Sequence, residues 1–161
     1  MRTQRGFSLI ELLIVVAIIL VIAAMAVPNL IKSRISANEA SAVASLRTIG
    51  TAQTSYSITY PQIGYANNLT KLGAPAGGAP VNPNNAGLLD WVLGCAAQPC
   101  GKSGYLFAIV NPVGAPVVTG YGITAVPVTV GQTGVRGFCA DKVTIITYDQ
   151  NGGTNCTTPI Q

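Results

Sequence analysis

Gly6-Phe7-Ser8-Leu9-Ile10-Glu11-Leu12-Leu13-Ile14-Val15-Val16-Ala17-Ile18-Ile19-Leu20-Val21-Ile22-Ala23-Ala24-Met25-Ala26-Val27-Pro28 is an apolar run interrupted by one acid. Arg2 and Arg5 precede it and no acid comes before Glu11, so the leading flank is positive and is expected to stay on the cytoplasmic side of a membrane. A helix from Phe7 to Ile31 would be about 37 Å long, enough to cross a hydrocarbon core of about 30 Å. Glu11 is the anomaly. A carboxylate carried to the bilayer centre costs on the order of 2.5–3.5 kcal/mol on insertion scales.

A secretory signal accounts for part of this pattern, with Arg2 and Arg5 as the charged region, Leu12 to Ile22 as the apolar region and Ala24-Met25-Ala26 as an A-x-A cleavage site. It would release a soluble binding domain beginning at Val27. Three features oppose it. A disposable signal has no use for Glu11, the pattern runs on past Ala26 into a long amphipathic stretch, and Pro28 is the second residue after the supposed cut.

Gly6-Phe7-Ser8-Leu9-Ile10-Glu11, with a short basic leader before it and Pro28 at the far end, resembles the N-terminal signature of type IV pilins and pseudopilins. The resemblance is detailed from Gly6 to about Ile31 and beyond that lies only in layout. It implies a leader, residues 1–6, removed by prepilin peptidase between Gly6 and Phe7, and methylation of the new Phe7 amine. Residues 7–31 then form the transmembrane and filament-core half of a long helix, and residues 32–161 a periplasmic or extracellular globular domain that includes the helix's amphipathic half. Cleavage creates an α-amino group with a pKa of about 8, largely protonated at neutral pH. The resemblance implies that Glu11 of one subunit faces the Phe7 amine of a neighbour, each neutralising a charge costly alone in apolar surroundings, and so sets the stagger between subunits. Implied partners are further copies in a filament, the peptidase, the membrane, and an inner-membrane assembly platform driven by a cytoplasmic ATPase. The chain itself has no Gly-rich phosphate loop.

Beyond Pro28, which should bend or loosen the helix by removing a backbone donor, the pattern turns amphipathic. Ala42, Leu46, Ile49, Ala52, Tyr56 and Tyr60 recur at spacings of three and four, predicting one helix from about Ser8 to Tyr60 with a core-facing stripe. Lys32 and Arg34 mark where it leaves the bilayer core. Pro61 stops it. A loop-rich region follows, with helical turns expected at Asn67–Leu72 and at Ala86–Leu93. The second would be capped by Asn84 or Asn85, anchored by Leu88, Leu89, Trp91 and Val92, and stopped by Gly94. Residues 105–110, 117–126, 135–140 and 143–148 read as strands. Tyr105, Phe107 and Ile109 should face the helix, with Pro127 at a strand end or edge. The expected fold is α+β: a type IV pilin-like lollipop, its long N-terminal helix packed on a roughly four-stranded antiparallel sheet.

Composition narrows the chemistry. The 161 residues contain no His, which removes Ser-His-Asp and Cys-His catalysis, and only 9% are charged. Removing Arg2 and Arg5 lowers the formal net charge from +4 to +2, so nucleic-acid binding is not indicated. The acids of the globular part, Asp90, Asp141 and Asp149, are scattered, and no catalytic residue, metal site or cofactor is expected. Cys95, Cys100, Cys139 and Cys156 belong to an exported domain and should pair, with three connectivities open. The favoured pairs are Cys95–Cys100, closing a short loop, and Cys139–Cys156, which resembles the C-terminal disulfide loop of many type IV pilins. Asp149-Gln150-Asn151-Gly152-Gly153-Thr154 has the look of a calcium loop but lacks a closing Glu, so an Asn-Gly turn explains it better. A major pilin, a minor pilin and a pseudopilin of type II secretion all fit the chain.

Overall fold

The computed structural model describes residues 7–160. The chain divides into two compact units, one ending at Arg34 and the other beginning at Ile35. A single helix, α1, spans Leu9–Thr59 and contributes to both. It ends just before Tyr60-Pro61, where a proline disfavours helical dihedrals in the residue ahead of it.

In the second unit α1 buries Ala42, Leu46, Ile49, Ala52 and Tyr56. The opposing surface is one antiparallel sheet of six strands in sequential order: β1 Cys100–Lys102, β2 Tyr105–Val113, β3 Gly120–Pro127, β4 Gly137–Asp141, β5 Ile146–Asp149 and β6 Thr158–Pro159. Alternation along the strands sends one set of side chains to the helix. Phe107 stands opposite Ala125 and Ala125 opposite Phe138, while Ile109, Ile123, Ala140 and Ile146 form a second row across four strands. These rows and the helical stripe make one hydrophobic cluster.

The sheet corrects the expected strand number from four to six. The four anticipated runs supply β2 to β5, although residues 117–119, 135–136 and 143–145 fall outside the strands. The additions are a three-residue strand and a two-residue strand, too short for alternation to stand out. β6 contains Pro159, which is tolerable because β6 is an edge. β1 and β2 join through Ser103-Gly104, both at positive φ (49° and 74°), the turn geometry that matches the twist of a hairpin.

The connection between α1 and the sheet is held by polar contacts more than by regular structure. A 3₁₀ turn at Leu69–Leu72 is capped by Asn68, whose Oδ1 accepts the Lys71 N–H at 3.0 Å. The helix expected at Ala86–Leu93 does not form. Its backbone is drawn instead to the preceding turn: the N–H groups of Ala86, Gly87 and Leu88 donate to the carbonyls of Lys71, Gly73 and Leu72, and Gly87 takes φ 68°. Leu89 and Leu93 are buried there, but Trp91 is 82% exposed and anchors nothing. Gly73 and Gly94 meet backbone to backbone, so close that a Cβ on either would overlap the other. Inside, the fully buried Gln53 donates to the Ala66 carbonyl and accepts the Ala66 N–H, both at 2.8 Å. Gln98 accepts from the Leu69 and Ile109 N–H groups and donates to the Ile109 carbonyl, tying the loop to β2.

Candidate functional site

In the first unit every large apolar side chain from Phe7 to Ile31 is exposed. Such a surface is far larger than the scattered apolar groups of a soluble monomer, and it calls for lipid or another apolar surface. Leu13, Ala17 and Val21 form one row at four-residue spacing and Ile14, Ile18 and Ile22 the next, with a shallow, wholly apolar groove between them. Rows of this spacing are the ridges that interdigitate when helices pack, and the small Ala17 permits close approach.

Ser8 precedes the first helical residue, and its carbonyl accepts the N–H groups of Glu11 and Leu12. The Glu11 carboxylate reaches back to the Ser8 N–H at 3.0 Å. This is one half of a capping box, and the Ser8-x-x-Glu11 spacing is its sequence signature. The helix start and the carboxylate are thereby fixed together. Gly6, the residue before the expected cleavage point, lies outside the described residues. While the Gly6–Phe7 peptide bond is intact, the Phe7 nitrogen is an amide and carries no charge, so a Glu11–amine pair requires cleavage. Pro28 sits inside α1, where its missing N–H leaves the Ala24 carbonyl without the usual helical donor. The adjacent Asn29 side chain donates to the Met25 carbonyl at 3.3 Å.

A second polar cluster fastens the start of the globular unit. Glu39, on the same helical face as Ala42 and Leu46, is nearly buried and accepts the N–H groups of Val135 and Arg136 at 3.0 and 3.1 Å. Its other oxygen takes a two-pronged grip from the Arg136 guanidinium at 2.9 and 2.6 Å. Arg136 also stacks over the rings of Phe138 and Tyr148. Burial alone would raise the Glu39 pKa. The Arg136 side chain, the two backbone donors and the Arg136 charge together outweigh it and hold the carboxyl below its ordinary value of 4.5. A lowered folded-state pKa means stability that is complete above the ordinary value and lost as pH falls through the lowered one. The melting temperature of the full chain in detergent should therefore drop on acidification below about pH 4.5, and Glu39→Gln should flatten that part of the profile. Tyr105, buried beside this cluster, donates its hydroxyl to the Arg136 carbonyl at 2.8 Å. Burial first, and then the nearby Glu39 charge, push its pKa up, so it stays a neutral donor.

Neither the Glu39–Arg136 pair nor the Gln53 clamp was anticipated from the residues, yet both leave a trace. Glu39 and Gln53 continue the three-and-four spacing of the buried stripe, and a polar group on such a stripe demands a buried partner.

Cys95 is disulfide-bonded to Cys100, and Cys139 to Cys156. Each of the three aspartates, Asp90, Asp141 and Asp149, accepts backbone N–H groups of its own turn. Asp90 caps the Leu93 N–H and pairs with Lys102 at 3.7 Å, Asp141 accepts the Val143 N–H, and Asp149 accepts the N–H groups of Asn151 and Asn155. Among the described residues no three Cys, Asp or Glu side chains come together to hold a metal ion.

Residues 1–27 match the prokaryotic N-terminal methylation motif. Over 53 residues, 33% of this chain, the sequence is 49% identical to the type IV major pilin protein PilA of Myxococcus xanthus, covering 24% of that protein. Over 58 residues, 36% of this chain, it is 47% identical to the type IV wide pilus major component PilA4 of Thermus thermophilus, covering 44% of that protein. The matched stretch thus spans less than half the length of either of these curated relatives. No solved structure matches the chain significantly.

Proposed function

We propose that this chain, which opens on the methylation motif and shares that likeness with type IV major pilins, is a structural filament subunit and not an enzyme. Prepilin peptidase cuts after Gly6, Phe7 is N-methylated, and residues 7–31 hold the subunit in the inner membrane with its C-terminus in the periplasm. An assembly platform and its cytoplasmic ATPase then move the subunit into a helical surface pilus. The observation that carries this reading is the coincidence of the methylation motif with an apolar helix whose large side chains, from Phe7 to Ile31, all lack cover in the single chain. Packing these helices against one another supplies that cover, and Glu11 facing the Phe7 amine of a neighbour supplies register.

The test is to shear intact cells and pellet the released material. Filaments that contain this chain and carry it as their abundant subunit are the expected result. A chain found only as soluble monomer would contradict polymerisation, and loss of exoprotein secretion on deletion, without loss of surface filaments, would move the subunit to a type II secretion pseudopilus. Replacing Gly6 with a bulky residue is expected to leave only uncleaved, membrane-bound precursor, read as its intact mass.

A further inference from the structure

The connection from β3 to β4 runs from Val128 to Arg136; its first eight residues, Val128-Thr129-Val130-Gly131-Gln132-Thr133-Gly134-Val135, carry no charge, and Arg136 is paired with Glu39. It exposes three branched apolar side chains: Val128 (56%), Val130 (54%) and Val135 (43%). The loop is not free to fold these groups away. The Gln132 and Thr133 N–H groups donate to the Thr129 carbonyl, the Gly131 N–H donates to the Gly134 carbonyl at 2.8 Å, and the Val128 N–H donates to the Gly104 carbonyl at 3.0 Å. Two further bonds tie it to α1. Asn38 donates to the Thr133 carbonyl at 2.8 Å, and Glu39 accepts the Val135 N–H. Preformed and uncharged from Val128 to Val135, the loop holds three valines outward among the exposed Thr129, Gly131 and Gln132, with no ionic group between them to resist contact with an apolar phase.

Its attachment point identifies which phase. Asn38 and Glu39 are the fourth and fifth residues of a unit that begins at Ile35, directly after Lys32 and Arg34 close the apolar segment. Even fully extended, the chain from Arg34 to Asn38 reaches only about 14 Å. The loop is therefore tethered close to whatever surface the anchor enters. We propose that in the unassembled, membrane-held subunit Val128, Val130 and Val135 insert at the headgroup–acyl boundary of the bilayer and dock the globular unit on the lipid surface. This rests on the membrane-anchored reading given above. Docking of this kind steadies the subunit in the membrane and must be released when it enters a filament.

The full-length chain is reconstituted into phosphatidylcholine–phosphatidylglycerol vesicles whose acyl chains are brominated either near the headgroup or near the bilayer centre. Trp91, the one tryptophan, serves as a water-exposed reference in the unaltered chain. In a Trp91→Phe background, Val128→Trp and Val135→Trp report the loop, and Ile22→Trp reports the anchor, with folding checked by circular dichroism. The expected result is quenching of the two loop tryptophans by about half with shallow bromines, quenching of the anchor tryptophan with deep ones, and no quenching of Trp91. An anchor tryptophan that is quenched while both loop tryptophans behave like Trp91 overturns the docking alone. An unquenched anchor overturns the membrane-anchored reading and the docking with it. Loop emission that responds only to protein-to-lipid ratio would make the occupant a second copy of this chain and also overturn the proposal.

Discussion

Glu11→Ala is expected to leave leader cleavage and membrane insertion intact while removing nearly all filament from the sheared fraction. In the assembled state the Phe7 amine would then lie in apolar surroundings without a counter-charge, and breaking a buried pair by deleting one partner costs about 3–5 kcal/mol. Because that cost recurs at each subunit added, the concentration needed for growth should rise about a hundredfold or more. The lost bond to the Ser8 N–H is a smaller, local matter, since capping contacts contribute about 1 kcal/mol. The two effects separate in the measurement. Fraying of the helix start alone would leave filament yield little changed, and an unchanged yield would remove the register role assigned to Glu11.

Gln53→Leu is expected to produce the largest loss of stability in the globular unit. Leucine suits the buried site in size, but it leaves both the N–H and the carbonyl of the fully buried Ala66 without partners. Each unsatisfied backbone group costs about 1–3 kcal/mol, so the unfolding free energy of the full chain in detergent should fall by about 2–6 kcal/mol. Ala66 lies in the connection after α1, just ahead of Leu69 and Leu72, which pack into the core. The connection between α1 and β1 should accordingly open first and become the site of proteolytic nicking. A cost below 0.5 kcal/mol in denaturant titration would mean that water replaces the lost bonds and that the clamp is dispensable.

The parts of this molecule that the sequence reveals are those with a long period. The stripe from Ala42 to Tyr56 repeats over four turns and appears as a buried face, and the alternation in residues 105–110 and 120–126 survives as β2 and β3. The segments that escaped are short or depend on distant partners. β1 and β6 hold too few residues to alternate, and Ala86 to Leu93 has helical composition but finds better partners in the carbonyls of Lys71, Leu72 and Gly73. Glu39 and Arg136 are 97 positions apart, and nothing local to either names the other. Of the candidate assembly residues, Gly6, Phe7 and Glu11 stand out because their chemistry is crowded into six positions. The groove between Leu13 and Ile22 needs only a helix to exist, and α1 provides it.

The central claim is that the apolar segment stays in a processed subunit. The mass of the N-terminal peptide of the mature chain, taken from sheared cell-surface material, tests it most directly. An N-terminus at Phe7, carrying one methyl group on its amine, is the predicted result. A peptide beginning at Val27 would contradict it, because the segment that anchors and packs the subunit would then have been discarded.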